Sequence, residues 1–130
     1  MKVYRVEHYR TRLGPYRHWG RLRLKIDKAH GYEERDRDTH PTPSEELGYA
    51  FWKWRGSKLY KDKPFKCGFS SIPQLKLWFK GWLKKLHDNG FVIRVYEAED
   101  YLKSEKQVVF NHYRKRPVKE FSLLARKISC

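Results

Sequence analysis

Cysteine is scarce in this sequence: Cys67 and Cys130 are the two cysteines among 130 residues. A pair so far apart forms neither a disulfide framework nor a zinc-binding spacing, and it is typical of a reducing compartment. Long apolar runs are missing too, so the sequence shows neither the h-region of a signal peptide nor a stretch that could span a bilayer. We therefore expect a cytoplasmic protein with no membrane partner.

The motifs of several enzyme classes are also missing. No HExxH or CxxC pair occurs and the six histidines are scattered without ligand spacing, so we expect no metal site. Phosphate-binding loops of the Walker or dinucleotide type are absent, and nothing points to a Ser-His-Asp triad. We expect no cofactor, except NAD under the enzyme alternative described below.

Acidic residues are half as frequent as basic ones: 15 Asp and Glu stand against 30 Lys and Arg, for a net charge of +15. The excess comes in three blocks, 1–30, 47–90 and 106–130, with net charges of +7, +8 and +6. Two acidic segments separate these blocks, so the charge belongs to the folded surface and not to a tail. Such a surface favours polyanions, and the expected partner is nucleic acid or a nucleoprotein. The alternative is a charged face that is merely solvated.

Aromatic residues are abundant, with nine Tyr, seven Phe and five Trp. Each of these side chains can bury about 150–250 Å², so a chain of this length can form one compact domain over residues 1–130. The order of elements predicted below is β-β-α-α-β-β-α. That order predicts an α+β fold in which a small mixed or antiparallel sheet packs with two to three helices.

Four segments have the composition of strands. Lys2–His8 is β-branched and aromatic, and Arg21–Ile26 alternates basic with apolar residues. Phe91–Glu97 is nearly continuous in apolar residues and is predicted to be central, and Gln107–Tyr113 is the fourth strand. The basic segment 57–66 is predicted to be a loop.

Three segments have helical periodicity. The first begins at Thr42, which can form a capping box with Glu45. The second, Ser71–Asn89, starts with its own capping pair, presents one apolar face and carries a row of lysines on another. The last helix is predicted from Val118 to Ile128.

Basic residues interleaved with aromatic rings form the first functional pattern. Cations neutralise phosphates, while rings stack on bases for about 1–3 kcal/mol each. Trp19 and Trp52 lie off the apolar stripes and are candidates for stacking, although a core position is the alternative for each. The predicted nucleic-acid-binding residues are Arg17, Trp19, Arg21, Arg23, Trp52, Lys53, Arg55, Lys76, Lys80, Lys84, Arg114, Lys115 and Arg116.

The cluster Arg114–Arg116 leads through Pro117 into the predicted last helix. Cations are poorly placed there, because the dipole at a helix N-terminus prefers anions. We interpret that cost as a sign of function, namely a phosphate held between the cluster and the free N–H groups of the helix start. The alternative is a solvated loop.

A third pattern follows the order of the chain. Arg5 lies on the first strand, Ser70 and Ser71 close the segment CGFSS before a helix, and Gln107 begins a late strand just after Glu105. This layout resembles that of ADP-ribosyltransferase-like domains. The resemblance implies that Arg5 holds NAD, that Ser70 or Ser71 lines its pocket and that Gln107 stands at the catalytic position.

In that family the catalytic position is a glutamate. Glutamine cannot carry the negative charge of a carboxylate, so activity would be reduced or lost unless Glu105 substitutes. The alternative is that Arg5 and Gln107 are ordinary strand residues.

The segments VYRV, GPY, HPTP, CGFSSIPQLKLWF and QVVF resemble small bacteriophage-encoded proteins of unassigned function. That resemblance implies expression in the cytoplasm of a bacterial host and a role against a host or defence component. The leading hypothesis is nucleic-acid or ribonucleoprotein binding without catalysis. The alternatives are an ADP-ribosyltransferase-like enzyme or degenerate relative, and an inhibitor that docks on an acidic host protein.

Overall fold

The computed structural model describes residues 1–16, 25, 42–56, 65–111 and 115–124. The α+β class is confirmed in these ranges, where six strands and four helices have described bounds and Lys25 is helical as well. The strands are β1 Lys2–His8, β2 Phe65–Gly68, β3 Phe91–Ala98, β4 Tyr101–Lys103, β5 Val108–Asn111 and β6 Lys115–Phe121. The helices are α1 Pro43–Leu47, α2 Tyr49–Gly56, α3 Ile72–Trp78 and α4 Leu83–Asp88.

The described strands form two antiparallel sheets of three strands each. Sheet one has the order β1-β3-β6, and its central strand β3 is the one with the nearly continuous apolar sequence. Sheet two has the order β2-β5-β4. A single bridge joins them: the backbone amides of Tyr4 and Phe69 each donate to the other residue's carbonyl over 2.8 Å. The two sheets are therefore fixed to each other where β1 passes the end of β2.

One face of sheet one packs against α3 and α4. Leu75 of α3 and Leu86 of α4 are fully buried against Val6 and Ile93 of the sheet. Burying a leucine side chain stabilises a fold by about 1.5–3 kcal/mol. This face holds the larger of the two core clusters, and the apolar periodicity of residues 75–86 predicted it.

The opposite face of sheet one packs against sheet two. Val3, Tyr96 and Ala98 form a second core cluster with Val108 and Phe110. The two sheets approach closely here, since a Cβ atom built on Gly68 of β2 would lie 2.4 Å from Val3 Cγ1. A charged group that lies near this second core is thus enclosed between two sheets.

The outer face of sheet two carries α1 and α2. The ring of Phe51 meets that of Phe65 edge-on at 5.1 Å, and the indole N–H of Trp54 donates to Asp100 over 3.0 Å. Glu46 of α1 accepts from the backbone N–H of Lys106 over 2.9 Å and from the side chain of Gln107 over 3.1 Å. The order of layers is therefore helices, sheet one, sheet two, helices.

The long helix predicted over Ser71–Asn89 is wrong in one respect: it is two helices. Gly81 has φ +86° and lies in the turn between α3 and α4. A helix interior disfavours glycine by about 1 kcal/mol relative to alanine, whereas glycine enters the left-handed region freely. The capping pair at the start is confirmed, because Ser71 Oγ accepts from the backbone N–H of Gln74 over 3.2 Å.

The helix predicted from Val118 onward is also wrong, because residues 115–121 form β6. The edge of β3 offers a ladder to this segment, and cross-strand charges fix its register: Arg116 lies opposite Glu97, and Glu120 lies opposite Arg94. A bulge between Val95 and Tyr96 absorbs the mismatch in length. Residues 125–130 lie outside the described part of the chain.

The structure also differs from the prediction in individual strands. The basic loop predicted over residues 57–66 ends in a strand, β2, and Tyr101–Lys103 adds a short strand that the sequence did not predict. The strand predicted at Arg21–Ile26 lies outside the described residues except for Lys25, which is helical and exposed. No helix in the described ranges is long and apolar enough to cross a membrane.

Candidate functional site

The face of sheet one that points toward sheet two carries charged groups at its centre. Residues two apart on a strand share a face, so Arg5 and Glu7 lie on the same side as Val3, which belongs to the core between the sheets. The register of β1 with β3 places Arg94 opposite Arg5 and Tyr96 opposite Val3. Two arginines, a glutamate and a tyrosine are thereby brought together from two strands.

Glu7 is the anionic centre of this group and is fully buried. Its carboxylate accepts from Arg94 Nη1 over 2.7 Å, from Arg5 Nε over 3.1 Å and from the hydroxyl of Tyr96. A buried carboxylate is costly unless it is paired and hydrogen-bonded, and these three donors meet that need. Burial, followed by the hydrogen bond to Glu7, raises the pKa of Tyr96 to about 12, so the phenol stays a donor at neutral pH.

The two arginines are held by further contacts. Arg5 Nη1 donates to the carbonyl of Cys67 over 2.7 Å, and Arg94 Nη2 forms an ion pair with Glu120 of β6. The backbone at Gly14 passes directly over Arg5, since a Cβ there would lie 3.0 Å from Arg5 Nη2. Burial works to lower the pKa of Arg94, but the hydrogen bonds to Glu120 and Glu7 outweigh it and raise that pKa.

Lys66 brings a third cation to the group from sheet two. It lies opposite Phe110 in the β2–β5 ladder, so its side chain emerges on the face that meets sheet one. The pKa of Lys66 is lowered from 10.5 to about 8, and burial is the largest cause. The charges of Arg5, Lys115 and Arg12 contribute to this lowering, and Glu7 opposes it. Among the described residues, Glu7 is the carboxylate that opposes the lowering of the Lys66 pKa, and it does not offset it.

Lys115 lies beside the same group at the start of β6. Its Nζ is 4.8 Å from the centre of the Tyr96 ring, a distance at which the ring attracts the cation. Burial lowers the pKa of Lys115, and Arg12 and Arg5 lower it further, against the opposing effect of Glu7. Two half-buried lysines from different sheets thus share the same set of neighbouring charges.

Arg12 completes the group from the loop after β1. It is exposed and has φ 61°, the one non-glycine residue with positive φ in the described part of the chain. Arginine is disfavoured in the left-handed region by about 1–2 kcal/mol. Strain of this kind concentrates at functional sites, where a side chain has to be held in a particular place. The charge of Arg12 lowers the pKa of both Lys66 and Lys115, so the turn brings this cation within electrostatic range of the two lysines.

We refer to Arg5, Arg12, Lys66, Arg94 and Lys115 as the cationic cluster. Within the described part of the chain its ion pairs use two carboxylates, those of Glu7 and Glu120, so five cations stand against two anions there. The excess lies toward the outside, because both arginines paired with Glu7 are almost buried while Arg12 is exposed and the lysines are half-exposed. An arrangement of this kind is chemically suited to hold an anion.

The residues that the sequence predicted to bind nucleic acid are dispersed over several elements. Trp52 and Lys53 are exposed on α2, and Lys115 belongs to the cationic cluster. Residues Arg17, Trp19, Arg21, Arg23 and Arg114 lie outside the described part of the chain, as does the side chain of Arg55.

Two of those predictions, the lysine row and the phosphate site before the last helix, assumed helices that the described residues do not form. Lys76, Lys80 and Lys84 do not form a row on one helix, because Lys76 is on α3, Lys80 is in the turn and Lys84 is on α4. Lys84 also donates to Asp88 over 2.8 Å. Arg116 is exposed on β6 and does not precede a helix, so the proposed use of a helix N-terminus after this cluster is wrong.

The residues of the ADP-ribosyltransferase pattern divide between two places. Arg5 is in the cationic cluster, whereas the side chain of Gln107 is buried and donates to Glu46. Ser70 Oγ donates to Gln74 Oε1 over 3.1 Å, and the amide of Gln74 donates to the carbonyl of Glu105. Gln74 thus connects the serine segment with Glu105, while Arg5 is engaged with other partners.

Five charged residues of the site were not predicted from the sequence, namely Glu7, Arg12, Lys66, Arg94 and Glu120. One signal was available, since Arg94 interrupts an otherwise apolar strand, FVIRVYE, and a charge in such a strand requires a buried partner. Nothing in the sequence marks Lys66, which stands among other lysines. In the described ranges, no three His, Cys, Asp or Glu side chains are grouped closely enough to hold a metal ion.

The fold and the cluster define a basic α+β protein with two small antiparallel sheets and a cationic site between them. A family model, described as Bacteriophage T4 Y00F protein, matches residues 1–124. The chain therefore belongs to the Bacteriophage T4 Y00F protein family, which confirms the predicted resemblance to phage-encoded proteins. No curated protein and no solved structure matches the chain.

Proposed function

We propose that the protein binds nucleic acid through its phosphates, without catalysis, and that the cationic cluster is one of the phosphate contacts. The observation that carries the proposal is the charge imbalance between the sheets. Arg5 and Arg94 are compensated by Glu7 and Glu120, whereas Arg12, which is exposed, and Lys66 and Lys115, which are half-buried, form no ion pair within the described residues. A phosphate placed there would relieve the mutual repulsion of these three cations.

An extended polyanion fits the chain better than a small phosphate compound does. A single phosphate requires only a few cations, but the net charge is +15 and its excess recurs in three blocks. A nucleic acid meets several such blocks at once and releases a counterion for each phosphate that is neutralised. An acidic protein could use the same charges, although its carboxylates are not spaced as regularly as phosphates.

The salt dependence of binding tests this proposal. The affinity of the full chain for a fluorescently labelled duplex and for a single strand is measured between about 50 and 200 mM NaCl. For each tenfold rise in salt concentration, we expect log K to fall by about 0.9 per phosphate contacted on the duplex and by about 0.7 per phosphate on the single strand. Binding that does not depend on salt, or no binding at low salt, would refute the proposal.

Two variants attribute the binding to the cluster. Arg12→Gly removes a cation at a position where glycine relieves backbone strain, and Lys66→Met keeps most of the aliphatic stem. Each should reduce the salt slope by about 1 without loss of folding. The matched control is Lys103→Met, because Lys103 is exposed on β4. If all three variants lower the slope equally, the charge acts as a diffuse surface and the cluster is not a site.

A further inference from the structure

Helix α2 exposes two aromatic rings on the face that points away from sheet two. Phe51 is buried and Trp54 donates to Asp100, so these two residues define the inner face of the helix. Tyr49 is 79% exposed and Trp52 is 53% exposed. Exposed aromatic rings grouped on one helix face are the kind of apolar surface that contact sites use.

The spacing places these rings side by side with a cation. Tyr49 and Trp52 are three residues apart, and Lys53 is four residues after Tyr49, so all three lie on one face of α2. Lys53 is exposed as well. We call Tyr49, Trp52 and Lys53 the α2 platform.

We propose that the α2 platform stacks the bases of single-stranded nucleic acid, so that the protein prefers single strands to duplexes. Unpaired bases have free faces that can lie on Tyr49 and Trp52, while a duplex buries those faces in its own stack. Lys53 is placed to meet the adjacent phosphate. This inference rests on the proposed nucleic-acid binding and specifies which form of nucleic acid is bound.

Charge complementarity supports a nucleic acid over a protein as the occupant of this face. Residues 53–66, which lead from the platform to β2, contain six Lys and Arg and one Asp. Lys66 of the cationic cluster stands at the end of that segment. The cation on the platform itself, Lys53, and the basic sequence that follows it both favour a polyanion as the occupant of this face.

Fluorescence anisotropy with two probes tests the inference. One is an oligothymidylate of about 15 nucleotides, and the other is the same strand paired with its complement. The unmodified chain should bind the single strand more tightly at equal salt. Tyr49→Ala and Trp52→Ala should each weaken single-strand binding about 5-fold or more and should leave duplex binding little changed.

The controls separate stacking from folding. Leu77→Ala removes another large apolar side chain, 72% exposed, from α3 and should not change either affinity. The ring of Trp52 also contacts Phe51 at 5.2 Å, so Trp52→Phe serves as a conservative variant that retains a ring and should retain most of the binding. Tyr49 is 79% exposed, so weaker single-strand binding by Tyr49→Ala would report the loss of stacking and not a change in the core.

Different outcomes would overturn different claims. Unchanged single-strand affinity in Tyr49→Ala and Trp52→Ala, with salt-dependent binding intact, would overturn the α2 platform and leave this face to a protein partner. Tighter binding of the duplex than of the single strand would also overturn it, while nucleic-acid binding would stand. A chain that binds neither probe at low salt would overturn the proposed function, and the platform with it.

Discussion

Replacing Lys66 by methionine should make the protein more stable at neutral pH. A pKa lowered from 10.5 to about 8 means that the folded state disfavours the charged amine. At about 1.4 kcal/mol per pKa unit the shift corresponds to roughly 3 kcal/mol. Lys66 is only half-buried, so solvent screening reduces the expected gain to about 1–2 kcal/mol. Methionine retains most of the aliphatic stem and removes the charge.

The stability advantage of Lys66→Met should decrease as the pH rises. Below pH 8 Lys66 is protonated in the folded and unfolded states, so the unmodified protein bears the whole cost. Between about 8 and 10.5 the unfolded chain binds more protons, so the stability contributed by this residue rises with pH. The advantage of Lys66→Met should therefore be largest near pH 7 and should fall to less than half at about pH 9.5.

Urea unfolding of both proteins at these two pH values measures the difference. Lys103→Met, an exposed change on β4, should differ from the unmodified chain by less than about 0.5 kcal/mol at either pH. If Lys66→Met is less stable than the unmodified chain at pH 7, or if its advantage does not shrink with pH, then Lys66 is not crowded by the cationic cluster. The reasoning about the site would then be wrong.

Three other substitutions test the packing around the site, each by the change in free energy of unfolding. Glu7→Gln leaves Arg5 and Arg94 without their shared counter-charge and should cost about 3–5 kcal/mol, and a cost below about 1 kcal/mol would contradict the buried network. Leu75→Ala should cost about 2–5 kcal/mol, because Leu75 is fully buried between α3 and sheet one; a neutral result would refute that packing. Ser71→Ala removes the cap of α3 and should cost about 1 kcal/mol, whereas Ser71→Thr should retain most of the stability.

The sequence correctly predicted the features that are determined by residues close together in the chain. The capping box between Thr42 and Glu45 is formed in both directions, over 3.2 and 3.1 Å, as the spacing predicts. The apolar sequence of Phe91–Glu97 correctly indicated a central strand. In each case the pattern extends over a few residues, which is the range that sequence periodicity can report.

The wrong predictions concern segments whose structure is determined by pairing with residues far away in the chain. Val118 and Phe121 have helical spacing, but the free edge of β3 offers residues 115–121 a complete ladder with opposed charges. The cationic cluster is non-local as well, since Arg5 and Lys66 are far apart in the chain and come together where the two sheets join at Tyr4 and Phe69. No spacing rule connects residues on different sheets.

The most direct test of the account is the pKa of Lys66, measured by heteronuclear NMR with and without a bound oligonucleotide. The Lys66→Met spectrum assigns the signal. We predict a pKa of about 8 in the protein alone and a rise toward the ordinary value of 10.5 when phosphate groups occupy the cluster. Such a rise would be accompanied by proton uptake on binding near pH 8. A pKa that stays near 8 while the oligonucleotide is bound would show that nucleic acid does not contact this cluster.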